Sequence, residues 1–226
     1  MSWIILVIAT MILGGIGQLA VSSAYKKWGK VPSAIDATGA DMAIRMLGAY
    51  GQQDVQVNVV PGTLTDYFDP TTKTLNLSND VAYGKSVAAH AIACHEAGHY
   101  LQFCEGYSMM KVRHALVPIT NAASQLTWII LMIGLIFQWL GLIYVAAACY
   151  GVTLLFALVT LPVEFNASSR AIKYLDGQNG VLLNVAVPQA ERSGTRSMLR
   201  AAASTYVLAT IASLLNLLYI LAIARR

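Results

Sequence analysis

Between residues 115 and 163 the chain reads ALVPITNAASQLTWIILMIGLIFQWLGLIYVAAACYGVTLLFALVTLPV, and none of these residues is charged. An α-helix rises about 1.5 Å per residue, so roughly 20 apolar residues cross the hydrocarbon core of a bilayer. The stretch is too long for one crossing and right for a hairpin of two, with Gln138, Trp139 and Gly141 as the best place for the turn. The composition agrees. Hydrophobic residues make up 57% of the 226 and charged residues 12%, against roughly 45–50% and about 25% in a soluble domain. Such a chain cannot cover itself with a charged surface in water.

Two further apolar runs, Trp3 to about Leu19 and about Ala203 to Ala224, bring the expected spans to four. Only Met1 and Ser2 precede the first, so the basic n-region of a signal peptide is missing, and a retained transmembrane helix is expected. The net charge of +4 is not gathered into a Lys/Arg run or interleaved with aromatics, which argues against nucleic acid as a partner. It does carry an orientation signal. Lys26, Lys27, Lys30, Lys111, Arg113, Arg170, Lys173, Arg192, Arg196 and Arg200 all fall on one side of a four-span topology, and only Arg225 and Arg226 on the other. The positive-inside rule then puts residues 21–115 and 164–200 in the cytoplasm and both termini on the opposite side. Cys94, Cys104 and Cys149 are odd in number and lack CxxC spacing, so they read as small packing residues.

The remaining residues have the mixed polarity of a folded domain. Asp41–Tyr50 sets Ala43, Met46, Leu47 and Tyr50 on one helical face. Val55–Val60 alternates as a strand does and is turned by Pro61-Gly62; Asp66–Thr72 reads as a loop and Lys73–Leu77 as a second strand. Ser86 suits the cap of a helix running to about Cys104. The expected organisation is a first transmembrane helix over 1–20, a catalytic domain over 21–115, a transmembrane hairpin over 116–162, completion of the catalytic domain over 163–202, and a fourth transmembrane helix over 203–226.

Within the long helix, residues 95–99 read His-Glu-Ala-Gly-His. Positions four apart on a helix share a face, so His95 and His99 point the same way and can grip one Zn²⁺, with Glu96 beside them as a base for a metal-activated water. The flanks, from Ala88 to Ala93 and then Leu101 and Phe103, are largely apolar, and two imidazoles and a carboxylate are costly to bury there without a partner. Catalytic zinc takes three protein ligands and keeps one position open. The extended pattern HExxHxxGxxH fails, because Gln102 and Glu105 stand at its glycine and histidine positions. Glu164, at the end of the third span, is the downstream acid to consider. Two spans separate it from His99, so both lie on the same side of the membrane; an odd number would have excluded the pairing.

Other polar residues have plainer readings. His90 is about 140° around the helix from His95 and reads as partly buried or solvated. His114 reads as interfacial, Asp66 and Asp69 as turn formers, and Arg170 as a positive-inside residue rather than a substrate contact.

The stretches GTLTDYFDP (62–70), TLNLS (74–78), IACHEAGHYLQ (92–102), VPITNAAS (117–124), TLPVEFNASSRA (160–171) and LRAAASTYV (199–207) resemble the YugP-like family of membrane-bound neutral zinc metallopeptidases over nearly the whole chain. The resemblance implies a peptidase with His95 and His99 as zinc ligands, Glu96 as base and Glu164 as third ligand. A looser likeness to HtpX-type membrane gluzincins puts Ser168 where an aspartate is expected, with Asn166 able to share its role. Tyr67 stands where a histidine is expected in the family's loop, so no role of that histidine carries over.

The expected protein is thus α+β and mainly helical, a four-transmembrane-helix membrane protein with a small gluzincin-like zinc peptidase domain. It would act on a peptide or protein substrate, membrane-associated in the reading preferred here, with Lys73–Leu77 as the sheet edge that receives an extended chain. The alternatives are a catalytically silent scaffold that binds membrane partners, and a transport or assembly protein in which HEAGH is coincidental.

Overall fold

The computed structural model describes residues 3–177 and 187–225. Its elements in chain order are α1 (Trp3–Trp28), α2 (Gly39–Ala49), β1 (Gln56–Val60), β2 (Tyr67–Asp69), β3 (Thr74–Ser78), α3 (Asn79–Ala82), α4 (Val87–Cys104), α5 (Ser108–Ile136), α6 (Leu140–Leu175) and α7 (Gln189–Ala224). The protein is a mainly helical α+β membrane protein.

Among the described residues four helices, α1, α5, α6 and α7, are long and apolar enough to cross a bilayer, with mean hydropathies of 1.6 to 2.4 in their most apolar windows. Those windows are only 11–28% buried by protein. Ile4, Ile8, Ile12, Trp128, Ile129, Leu155 and Leu218 are exposed side chains of a kind that water does not tolerate in such density. Lipid is the solvent that suits them. The turn between α5 and α6 falls where expected: Gln138 takes a left-handed φ of 48°, and the Trp139 N–H closes the helix end on the Gly134 carbonyl at 2.9 Å.

The chain divides into two compact units. The first holds the residues up to Gln18, Ser108–Pro162, and those from Ser204 onward. Its core is formed by Leu131, Ile143, Ala146, Ala147, Ile220 and Ala224, where alanines let helix backbones come close. The second unit holds Leu19–Tyr107 and Val163–Ala203. Here α2 packs on α4, burying Met42, Ala43, Met46 and Leu47 completely. A capping box starts α2: the Thr38 hydroxyl accepts from the Asp41 N–H, and the Asp41 carboxylate accepts from the Thr38 N–H at 3.0 Å. The Thr38 hydroxyl also donates to the Asp41 carboxylate at 2.7 Å, and this bond, with that from the Thr38 N–H, holds the Asp41 carboxyl below its ordinary pKa. Thr38→Ala removes both bonds of the hydroxyl and is expected to lower stability by about 1 kcal/mol, read by thermal denaturation of the solubilised protein.

The sheet departs from the sequence reading in two ways. Its order is β1-β3-β2, with β1 parallel and β2 antiparallel to β3. Residues 67–69, expected in a loop, form a strand because Phe68 anchors them. Its ring is buried and meets Tyr100 edge-on at 5.3 Å and Phe103 at 5.6 Å. Consequently the strand expected at the sheet edge, around Lys73–Leu77, is central, paired on both sides and buried throughout. A substrate chain cannot add to it. Asp69 does form the expected turn, accepting from the Thr71 N–H at 2.8 Å, whereas Asp66 instead holds the end of β3 by accepting from the Ser78 N–H at 2.7 Å. Lys73 closes the β2–β3 connection with a left-handed φ of 57°.

Candidate metal centre

The centre is assembled from α4 and α6, both through residues of the second unit. Ser86 starts α4 by accepting from the Ala89 N–H at 3.2 Å. The helix is buried on nearly every side, which is why its sequence shows alanines in place of an amphipathic stripe. Proline is tolerated at position 162 of α6, and Glu164 follows two residues later on the same continuous helix. The α4 and α6 backbones meet at Gly98. A Cβ there would stand 2.8 Å from the Ala167 carbonyl oxygen and 3.1 Å from the Ala167 Cα. No larger residue fits this approach.

The result is a buried cluster. His95 Nε2 lies 3.3 Å and His99 Nε2 3.5 Å from Glu164 Oε2, and the two imidazoles face each other at 4.7 Å between centroids and 82° between planes. Glu164 is 2% exposed. One ligand atom from each of the three residues falls within 4.8 Å of the others. Two ligand atoms held about 2.05 Å from one tetrahedral zinc stand about 3.3 Å apart, so the observed spacings are those of a zinc coordination edge. The outer nitrogens are engaged elsewhere, His95 Nδ1 with the Ser168 hydroxyl at 3.2 Å and His99 Nδ1 with Gln102 Oε1 at 3.0 Å. Both Nε2 atoms are thereby turned to the carboxylate. The residues fit a zinc ion.

The electrostatics lean the same way. Burial alone would lower the pKa of His99, but the hydrogen bond and charge of Glu164 outweigh it and raise the imidazole above its ordinary value. A pocket that favours an extra positive charge is suited to a cation. Glu96 is buried, accepts from the Phe68 N–H at 3.0 Å, and has its carboxyl pushed up by burial against the pull of His95 and His99.

The other candidates are not among these three ligands. His90 is not solvated: it is fully buried, its Nε2 bonded to the Ala37 carbonyl at 2.7 Å. Arg170 pairs both terminal guanidinium nitrogens with Glu105 at 2.7 Å. His114 stands on α5, in the first unit, and Tyr67 is half exposed on β2. Cys94 is buried, as a packing residue should be, but Cys104 is exposed. Ser168 stays beside His95 where the aspartate of the looser likeness is replaced, and Gln102 was readable as a partner only from its three-residue spacing to His99.

A family model described as "Putative neutral zinc metallopeptidase" matches residues 3–225. The chain belongs to this family. It is also 39% identical over 218 residues to a Bacillus subtilis (strain 168) protein named "Putative membrane protease YugP", covering 96% of this chain and 94% of that one. No solved structure matches. Membership makes zinc the family's metal and a peptide the substrate class, and the four apolar helices make this member an integral, multi-pass membrane protein.

Proposed function

We propose that the chain hydrolyses peptide bonds as a gluzincin-type endopeptidase, with His95, His99 and Glu164 holding zinc and Glu96 acting as general base. The observation that carries this reading is the coordination-edge spacing of both histidine Nε2 atoms from the buried Glu164 carboxylate. When bound, zinc would polarise a scissile carbonyl and acidify a water. The protein's own groups do the rest. Glu96 takes the proton of the attacking water and delivers it to the leaving amine. The Phe68 N–H fixes that carboxylate, so the base cannot swing away from the cluster. Burial excludes competing solvent from His99 and keeps Glu96 basic.

The sheet edges are β1 and β2, and the edge for a substrate strand is β2, whose Phe68 N–H already donates to Glu96. The catalytic domain is residues 21–115 with 163–202, on the cytoplasmic side by the positive-inside rule. Glu164 follows directly on the apolar part of α6, which favours membrane proteins or their juxtamembrane segments as substrates.

The test is Glu96→Gln in purified, zinc-loaded protein. Proteolysis of an unstructured protein is expected to fall by about 10²–10⁴-fold while one zinc per chain is retained. Unchanged proteolysis would remove Glu96 from the mechanism. A wild-type protein that binds zinc but cleaves nothing would mark the chain as a silent scaffold.

A further inference from the structure

Beyond the ligands runs a line of polar contacts whose direction can be read. Arg170 is a donor only. Its Nε donates to Asn166 Oδ1 at 2.8 Å, which fixes the Asn166 amide with its oxygen towards Gln102. Gln102 Nε2 donates to that same oxygen at 3.0 Å and to the Val163 carbonyl at 2.8 Å. A flipped Gln102 would set its oxygen against both acceptors, so its amide has one orientation. Its Oε1 therefore faces His99 Nδ1, and at 3.0 Å the imidazole must be the donor. Gln102 is fully buried, so no water can substitute for any of these partners. At the far end Glu105 grips Arg170 through two bonds. His95 has no such lock, because the Ser168 hydroxyl beside it can rotate to donate or accept.

We infer that the Arg170–Asn166–Gln102 relay locks neutral His99 as the Nδ1–H tautomer, which makes Gln102 a positioning residue that presents the Nε2 lone pair to the metal. The inference rests on the zinc reading proposed above for His99, but the proton's position can be read without metal. A partner of this kind is worth about 10–100-fold in metal affinity. It also explains the residues that break the HExxHxxGxxH pattern: Gln102 and Glu105 form the two ends of the relay.

The experiment uses full-length protein in lipid nanodiscs, labelled with ¹⁵N-histidine and free of a histidine tag. At alkaline pH, where the imidazoles are neutral, ¹⁵N shifts of the metal-free protein report which nitrogen of His99 carries hydrogen. The signal is assigned by its loss in His99→Asn. Nδ1–H is expected for the wild type, and Nε2–H there would overturn the inference without any further variant. Gln102→Leu is expected to spread the proton over both nitrogens and to weaken zinc binding, measured by chelator competition, by about 10–100-fold. Asn166→Asp keeps an acceptor for both donors and should leave both readouts near wild type. Unchanged zinc affinity in Gln102→Leu would also overturn the inference. A chain that takes up no zinc would sink the metal reading alone, since the tautomer is measured without it.

Discussion

Glu164→Ala is expected to strip the protein of zinc and bring proteolysis to background. Catalytic zinc is held by three protein groups, and this substitution leaves two imidazoles around an apolar methyl. Structural zinc sites with four ligands bind with roughly 10–16 kcal/mol, so one ligand is worth about 2.5–4 kcal/mol, or about 10²–10³-fold in affinity. Metal analysis after dialysis against a chelator reads the loss directly. Zinc retained at one per chain would move the third ligand elsewhere. The pairing with the histidines makes the expected effect specific: Glu164 is the carboxylate that both Nε2 atoms face, and its burial means that no solvent-held acid can take over.

Gly98→Ala is expected to be nearly as damaging, although the residue binds nothing. Its added methyl would stand 2.8 Å from a backbone oxygen of Ala167, on the helix that carries Glu164. A flexible side chain could yield; a helix backbone can do so only by retreating from α4. That retreat draws Glu164 away from His95 and His99 and stretches the contacts of Gln102 to Val163 and Asn166. Zinc affinity should fall by about 10–100-fold, and overpacking should lower stability by about 1–3 kcal/mol. Chelator competition and thermal denaturation measure the two separately. Gly48, on α2, has open space where a Cβ would go, so Gly48→Ala supplies a control that leaves zinc affinity unchanged. Wild-type zinc affinity in Gly98→Ala would mean that the close approach does not set the ligand geometry.

The spans and α4 were legible because long uncharged runs and a capped helical stretch are strong local signals. The pairing of HEAGH with Glu164 was legible because counting spans needs no three-dimensional detail. The strand β2 was not. Three residues cannot display alternation, and the Asp and Pro around Tyr67–Asp69 spell a loop; only the Phe68 ring in its aromatic pocket and the partner strand make them extended. Missing β2 also misplaced the sheet edge, since Lys73–Leu77 looks terminal when its second neighbour is unseen. α6 runs unbroken across Pro162, so the third span expected to end at 162 and the helix that carries Glu164 are one element. Gln102 was visible only as a mismatch to another pattern, and its role depends on His99 of its own helix and on two partners from α6, Val163 and Asn166, more than sixty positions away.

The shortness of β2 has a consequence for selectivity. A strand of three residues offers an incoming chain very few main-chain hydrogen bonds, and one of its outward N–H groups is already committed to Glu96. A peptidase with so small a grip gains little from reading a long sequence motif. Its choice of target would come from geography: which unfolded segments emerge within reach of the apolar end of α6, and how long they linger there.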